Sequence, residues 1–317
     1  MVTGRGLAGA LHRKFPQPLI FVAAIAVFAA NSINVGADLA GMADATQMLT
    51  KINSHISVII FGVGISLATI WFRYHQIATI LKWLALVLLA YVVTGFIIHP
   101  DWSKIAHATF IPTWPKNHGE WATLVAILGT TISPYLFFWQ ASQEVEEEKA
   151  KGRRMLTRRF GAAPSEIITR KIDIDVGTFF SNLVMFFIIL TTALTLHRNG
   201  ITNIQTSKDA AQALFPLAGK FAGTLFTLGV IGTGLLAIPR LTGSAAYALA
   251  ETFAWREGLD RRFRGARHFY LVIIVSTMIG IVMDFRARES GARALLDSGN
   301  QRFARAVPSA GNHFCGD

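Results

Sequence analysis

The sequence predicts an all-α fold, a bundle of helices that crosses a membrane several times, and three observations predict it. Of the 317 residues, 52 % are hydrophobic and only 15 % are charged, where a soluble domain carries about 25 % charged residues. The mean hydropathy is +0.43. Apolar stretches long enough to span a bilayer, roughly 20 residues each, alternate with loops that hold most of the lysines and arginines. The net charge of +11 therefore reports topology rather than a phosphate-binding face. It points to the lipid bilayer as partner and away from nucleic acid. Cys315 is the one cysteine, which excludes an intramolecular disulfide and a cysteine-based metal site.

Seven spans follow in order, 18–39, 56–72, 77–98, 121–143, 176–196, 218–253 and 269–285. Met1–Lys14 is polar and basic, unlike a cleavable signal. The first span ends in NSINVGADLAGMADA, where Asn31, Asn34 and Asp38 recur at i, i+3 and i+7 and share one helical face. Such a stripe is costly in a membrane and is expected to face the bundle interior. Asp44 is read as the helix end reaching headgroup water, and for Asp38 that reading and a functional one stand level. The second and third spans are joined by RYHQ, a tight turn between antiparallel neighbours. Residues 99–120 are read as a long loop. Its histidines, His99, His107 and His118, are irregularly spaced without an acidic pair, which argues against a metal site. Trp102, Trp114 and Trp121 fit an interfacial aromatic belt.

The fourth span, 121–143, organises the rest. Its middle reads Gly129-Thr130-Thr131-Ile132-Ser133-Pro134-Tyr135. Pro134 has no N–H and its ring opposes the carbonyl four residues back, and Gly129 adds backbone freedom one turn away. Two half-helices with an unwound joint at Gly129, Thr131 and Pro134 are expected. Such a joint must face protein or a water-filled cavity, and secondary transporters hold substrate and ions there. A simple proline kink repaired by Ser or Thr hydroxyls is the competing reading. The run Glu144–Glu148 followed by Lys149 and Lys151 reads as a solvated helix leaving the membrane. In the sixth span Pro239 predicts a kink, and Gly229, Gly232 and Gly234 allow close helix approach. The basic residues concentrate in alternate loops, which places the N-terminus on the cytoplasmic side of the cytoplasmic (inner) membrane. From Arg286 the chain loses its apolar period, and 286–317 is read as a polar, disordered tail. No nucleophile–base pair or His-Glu-x-x-His appears, so an enzyme is not expected.

Three stretches, NSINVGADLAGMADA, GTTISPYLFFWQASQEVEEE and GSAAYALAETFAWREGLDRRF, resemble the Nramp family of divalent metal-ion transporters, and more closely its bacterial branch with a divergent metal-site helix. The resemblance covers about residues 3–285. It implies an inverted-repeat fold of the leucine-transporter type, here partial, with 18–39 as the family's third helix and 121–143 as its sixth. Typical members carry Ala-x-x-Met-Pro-His on the sixth helix. Thr130 stands at the alanine, whose carbonyl can ligate, Ser133 at the methionine and Tyr135 at the histidine. Thr130 and Ser133 are thus the implied metal ligands, and Asp38, Asn34 and Tyr135 the implied proton or polar pathway. Asp38 matches the family's acidic residue on helix three, while a second acidic position is Gly41 here.

Replacing a thioether and an imidazole by hydroxyl and carbonyl oxygens favours Mn²⁺ or Mg²⁺ over softer metals. The divalent ion is cargo, and no cofactor is expected. The family's Asp-Pro-Gly motif is absent, and the chain is expected to be truncated at both ends relative to the family. The alternatives are a non-transporting fragment, a subunit whose partner chain supplies further helices, and an amino-acid-type solute transporter of the same fold.

Overall fold

The computed structural model describes residues 6–12, 14–71, 86–111, 113–131, 135–150, 152, 163–197, 200, 210–211, 214, 219–259 and 263–306. The elements there are helical: α1 Leu7–Leu11, α2 Gln17–Thr50, α3 Ser54–Trp71, α4 Leu89–Ile97, α5 Trp102–Phe110, α6 His118–Thr131, α7 Tyr135–Ala150, α8 Pro164–Thr195, α9 Ala222–Thr252 and α10 Arg267–Ala306. Short 3₁₀ turns precede α4, α9 and α10. The expected link 73–76, much of the third span and most of the loop after α8 lie outside the described residues.

Five described segments are long and apolar enough to cross a membrane, α2, α3, α8, α9 and Arg267–Arg286 of α10. A sixth arises if α4 with its preceding turn and α5, bent by 117°, count as one. α6 and α7 have 14 and 16 residues, each below the roughly 20 needed alone.

α2 is central, with α9, α10 and α3 packed around it. Lipid tails are as apolar as leucine, so close backbone approach and interhelical hydrogen bonds hold membrane helices together. Both are present. A Cβ built on Gly36 of α2 would lie 3.1 Å from the Gly280 carbonyl oxygen of α10, so these backbones nearly touch. Gly234 of α9 accommodates the Met42 side chain in the same way. Hydrogen bonds cross between helices from Asn31 Nδ2 to the Leu241 carbonyl at 2.9 Å, between the Ser32 and Ser276 hydroxyls at 2.9 Å, and from Thr227 Oγ1 to the Ala45 carbonyl at 3.0 Å. A separate pair, α4 and α8, shares a cluster of Tyr91, Phe187 and Leu196, with Phe187 packed against Gly95.

Several boundaries differ from the sequence expectation. The first helix does not stop near Leu39 but runs to Thr50, because polar residues end an apolar run without ending a helix. The expected loop 99–120 contains α5, whose N-cap Asp101 accepts from the Lys104 N–H at 3.2 Å. The fifth span starts at Pro164 rather than Val176. Pro at the first helical position is pre-set for a helix start, and the Glu166 carboxyl reaches back to the Ala163 N–H at 3.0 Å. Arg170 on this extension pairs with Glu147 of α7. Pro239 lies within α9, which continues on both sides of it. The last helix does not end at Phe285, nor does a disordered tail begin at Arg286. The helix continues to Ala306, since alanine, arginine, glutamate and leucine favour helix whether or not the segment is apolar.

Candidate functional site

The helical backbone of α6 extends through Gly129, Thr130 and Thr131, and α7 begins at Tyr135. Gly129 and Thr131, expected in the joint, therefore form the last turn of α6. The interval itself, with the expected ligand Ser133 and the expected breaker Pro134, lies outside the described residues. The last four carbonyls of an α-helix lack an intrahelical partner. Thr130 is among those of α6, so its carbonyl is a candidate oxygen donor by position.

The second half, α7, is docked on α9 along a regular seam. Ser244 Oγ of α9 donates to the Tyr135 carbonyl at 2.9 Å. One turn on, the Trp139 ring packs over Gly243, where a Cβ would come within 2.6 Å of it, and stands edge-on to Tyr247 at 6.3 Å between centroids. Two turns on, Ser142 Oγ donates to Glu251 Oε1 at 3.2 Å. Both hydrogen-bonded pairs are 109 residues apart in sequence, so α7 and α9 run parallel and in register.

Tyr135, half-buried, also packs against the cluster of Val35, Leu39 and Met42 from α2 with Ile238 and Leu241 from α9. Val35 and Leu39 belong to the stretch of α2 that carries Asp38. The three polar residues of that stretch separate in burial. Asn31 is buried and bonded to α9, Asp38 is half-buried, and Asn34 is exposed. Steps of about 100° per residue, from 3.6 residues per turn, place Asp38 about 20° and Asn34 about 60° from Asn31 around the helix. The edge of the interface falls inside that arc. Asn34 was expected on the interior face and is corrected to the exterior.

No three His, Cys, Asp or Glu side chains converge among the described residues. Trp102, Trp114 and Trp121 are exposed, the latter two with ring centroids 6.3 Å apart. The sequence reading missed Ser142, Ser244, Tyr247 and Glu251. The signal was present: Ser244, Tyr247 and Glu251 recur at i, i+3 and i+7 within an apolar helix, the same spacing that singled out the α2 stripe. An ionisable group inside such a helix is itself a pointer to function.

The family model for Nramp, natural resistance-associated macrophage protein-like, matches residues 1–296, beyond the point at Phe285 where the resemblance had been expected to end. Relatives named divalent metal cation transporter MntH include one from Caldanaerobacter subterraneus subsp. tengcongensis, 31% identical over 150 residues, 47% of this chain and 34% of that protein. Another, from Yersinia pestis (strain Pestoides F), is 24% identical over 241 residues, 74% of this chain and 55% of that protein. A third, from Deinococcus radiodurans, is 23% identical over 249 residues, with 74% and 52% covered. The chain thus spans about half the length, or less, of these relatives. With a family match that runs through nine-tenths of its length, the chain belongs to the Nramp family.

Proposed function

We propose that this chain forms part of a secondary transporter that carries divalent metal ions across the cytoplasmic membrane, its N-terminus on the cytoplasmic side. The observation that carries the proposal is the position of the start of α7. α7 starts at Tyr135, which packs on a cluster that α9 shares with Val35 and Leu39 of α2, the residues around Asp38 in sequence. The names of the MntH relatives supply the cargo class.

In this reading the Thr130 carbonyl and the Ser133 hydroxyl contribute oxygen ligands, and Asp38 and Tyr135 line the polar path, which Asn34 borders from outside. An oxygen-only donor set suits hard, partly hydrated ions, so Mn²⁺ or Mg²⁺ is favoured over softer metals. The chain acts by binding and releasing cargo and not by catalysis.

Uptake by proteoliposomes that contain the chain tests this reading. Mn²⁺ and Mg²⁺ are expected to enter faster than Cd²⁺, and Ser133→Met is expected to move the preference toward Cd²⁺. Faster Cd²⁺ uptake by the unaltered chain overturns the ion class. Absence of uptake for all three ions overturns transport by this chain alone.

A further inference from the structure

α1 has only five residues, whereas isolated helices shorter than about 12–15 residues are marginal. Its N-cap, Gly6, supplies no side-chain hydrogen bond, although the first N–H groups of a helix need acceptors. The acceptor comes from the far end of α9, where the Gly9 N–H donates to Glu251 Oε2 at 2.9 Å. The other oxygen of the same carboxyl group, Oε1, accepts from Ser142 of α7. Gly6 lies so close to this carboxyl group that a Cβ would overlap it. Ala8 is buried in a cluster with Phe138 and Trp139 of α7 and with Ala245–Ala250 of α9. A carboxylate at a helix N-terminus is favourable for the dipole, and one in an apolar helix is costly unless partnered. Glu251 meets both conditions with a single group.

We propose that Glu251 is a positioning residue that fastens α1 and the middle of α7 to α9 through one carboxyl group, so that the two are held and released together. The fastening rests on the fold alone. Its bearing on cargo rests on the transport reading, in which α7 is the second half of the span at the ion site. Ser244 then holds the first residue of α7 and Glu251 its middle.

Hydrogen–deuterium exchange of the full chain in lipid nanodiscs tests the proposal. In Glu251→Ala, amides of 7–11 and of 142–149 are expected to exchange about 10- to 100-fold faster, from the ~1.5–3 kcal/mol of a charged hydrogen bond. Those of α3 are expected to hold. Glu251→Gln is expected to restore protection, since its amide oxygen can accept from Gly9 and its NH₂ can donate to Ser142 Oγ. Gly6→Ala leaves the carboxyl group present but obstructs its seat, and is expected to loosen both segments; it carries the test if Glu251→Ala fails to fold. Unchanged exchange in both substitutions, or loosening of α1 alone, overturns the proposal. Metal uptake measured beside exchange separates the two ideas. Coupled loosening without uptake in the unaltered chain removes the transport reading and leaves the pin. Uptake with uncoupled exchange does the reverse.

Discussion

α6 and α7, expected from the sequence to be two halves of one span, are similar in length and lie next to each other in sequence, yet they are held differently. Every α6 side chain that the structure describes is exposed, Val125 at 63% and Leu128 at 53%. α7 buries Phe138, Trp139, Ser142, Val145 and Glu148. Apolarity does not separate them, since α6 has an apolar run at Leu124–Leu128 and α7 one at Tyr135–Trp139. What separates them is complementarity. α9 offers α7 a hydroxyl for a carbonyl, a glycine for an indole and a carboxylate for a hydroxyl, each one turn further along. In a bilayer, apolar surface alone gives a helix no reason to choose protein over lipid, and such pairings supply it. α7 is thus set on α9, while the described side chains of α6 stand exposed.

The largest test of this contrast is Trp139→Ala. It removes the central side chain of the seam and should cost about 3–5 kcal/mol, as for large aromatic truncations in packed interiors. The expected readout is a lower midpoint in equilibrium unfolding by SDS, with faster proteolysis within 135–150. Gly243→Val attacks the same contact from α9. A side chain there meets the indole ring, and overpacking of this kind costs roughly 1–3 kcal/mol, read in the same titration. If Gly243→Val leaves the midpoint unmoved, the seam does not hold α7.

Ser244→Ala is a smaller change. Interhelical hydrogen bonds in membranes average about 0.6 kcal/mol with a maximum near 1.7, so a small shift is expected. Faster amide exchange should be confined to the first turn of α7. The smallest effect belongs to α6. Val125→Ala should stay within about 0.5 kcal/mol, the range of exposed substitutions. A cost comparable to that of Trp139→Ala would show that α6 has a partner as binding as α9 and would remove the contrast.

The same contrast marks what sequence could and could not supply. A helix break was expected at Pro134 and Gly129 because proline and glycine act on the backbone itself; the α6 helix carries through Gly129 to Thr131, and Pro134 lies outside the described residues. The long helix through Pro239 was legible from its apolar length. The start of α8 was not, because the charges of 165–175 resemble a loop when polarity is taken for irregularity; Pro164 and Glu166 carried the start signal. α5 was hidden for the same reason, with Asp101 its unread cap. Periodicity put Asn31, Asn34 and Asp38 on one face of α2, but whether Asn34 lies inside or outside depends on where the neighbouring helices end their coverage, which no single helix encodes. Glu251 shows the same limit. Its meaning comes from Gly9 and Ser142, 242 and 109 residues away, and no local pattern joins them.

The meeting of Gly36 and Gly280 has a mechanical consequence. Elsewhere in the bundle, side chains stand between helices and can change rotamer as the helices shift. Here there is no such cushion, since a Cβ on Gly280 would lie 2.9 Å from the Gly36 nitrogen. Bare backbone against bare backbone resists compression but leaves rotation free, as a fulcrum does. Whatever tilting α2 and α10 undergo against each other turns about this point, and movement is magnified with distance from it, toward the ends of the two helices.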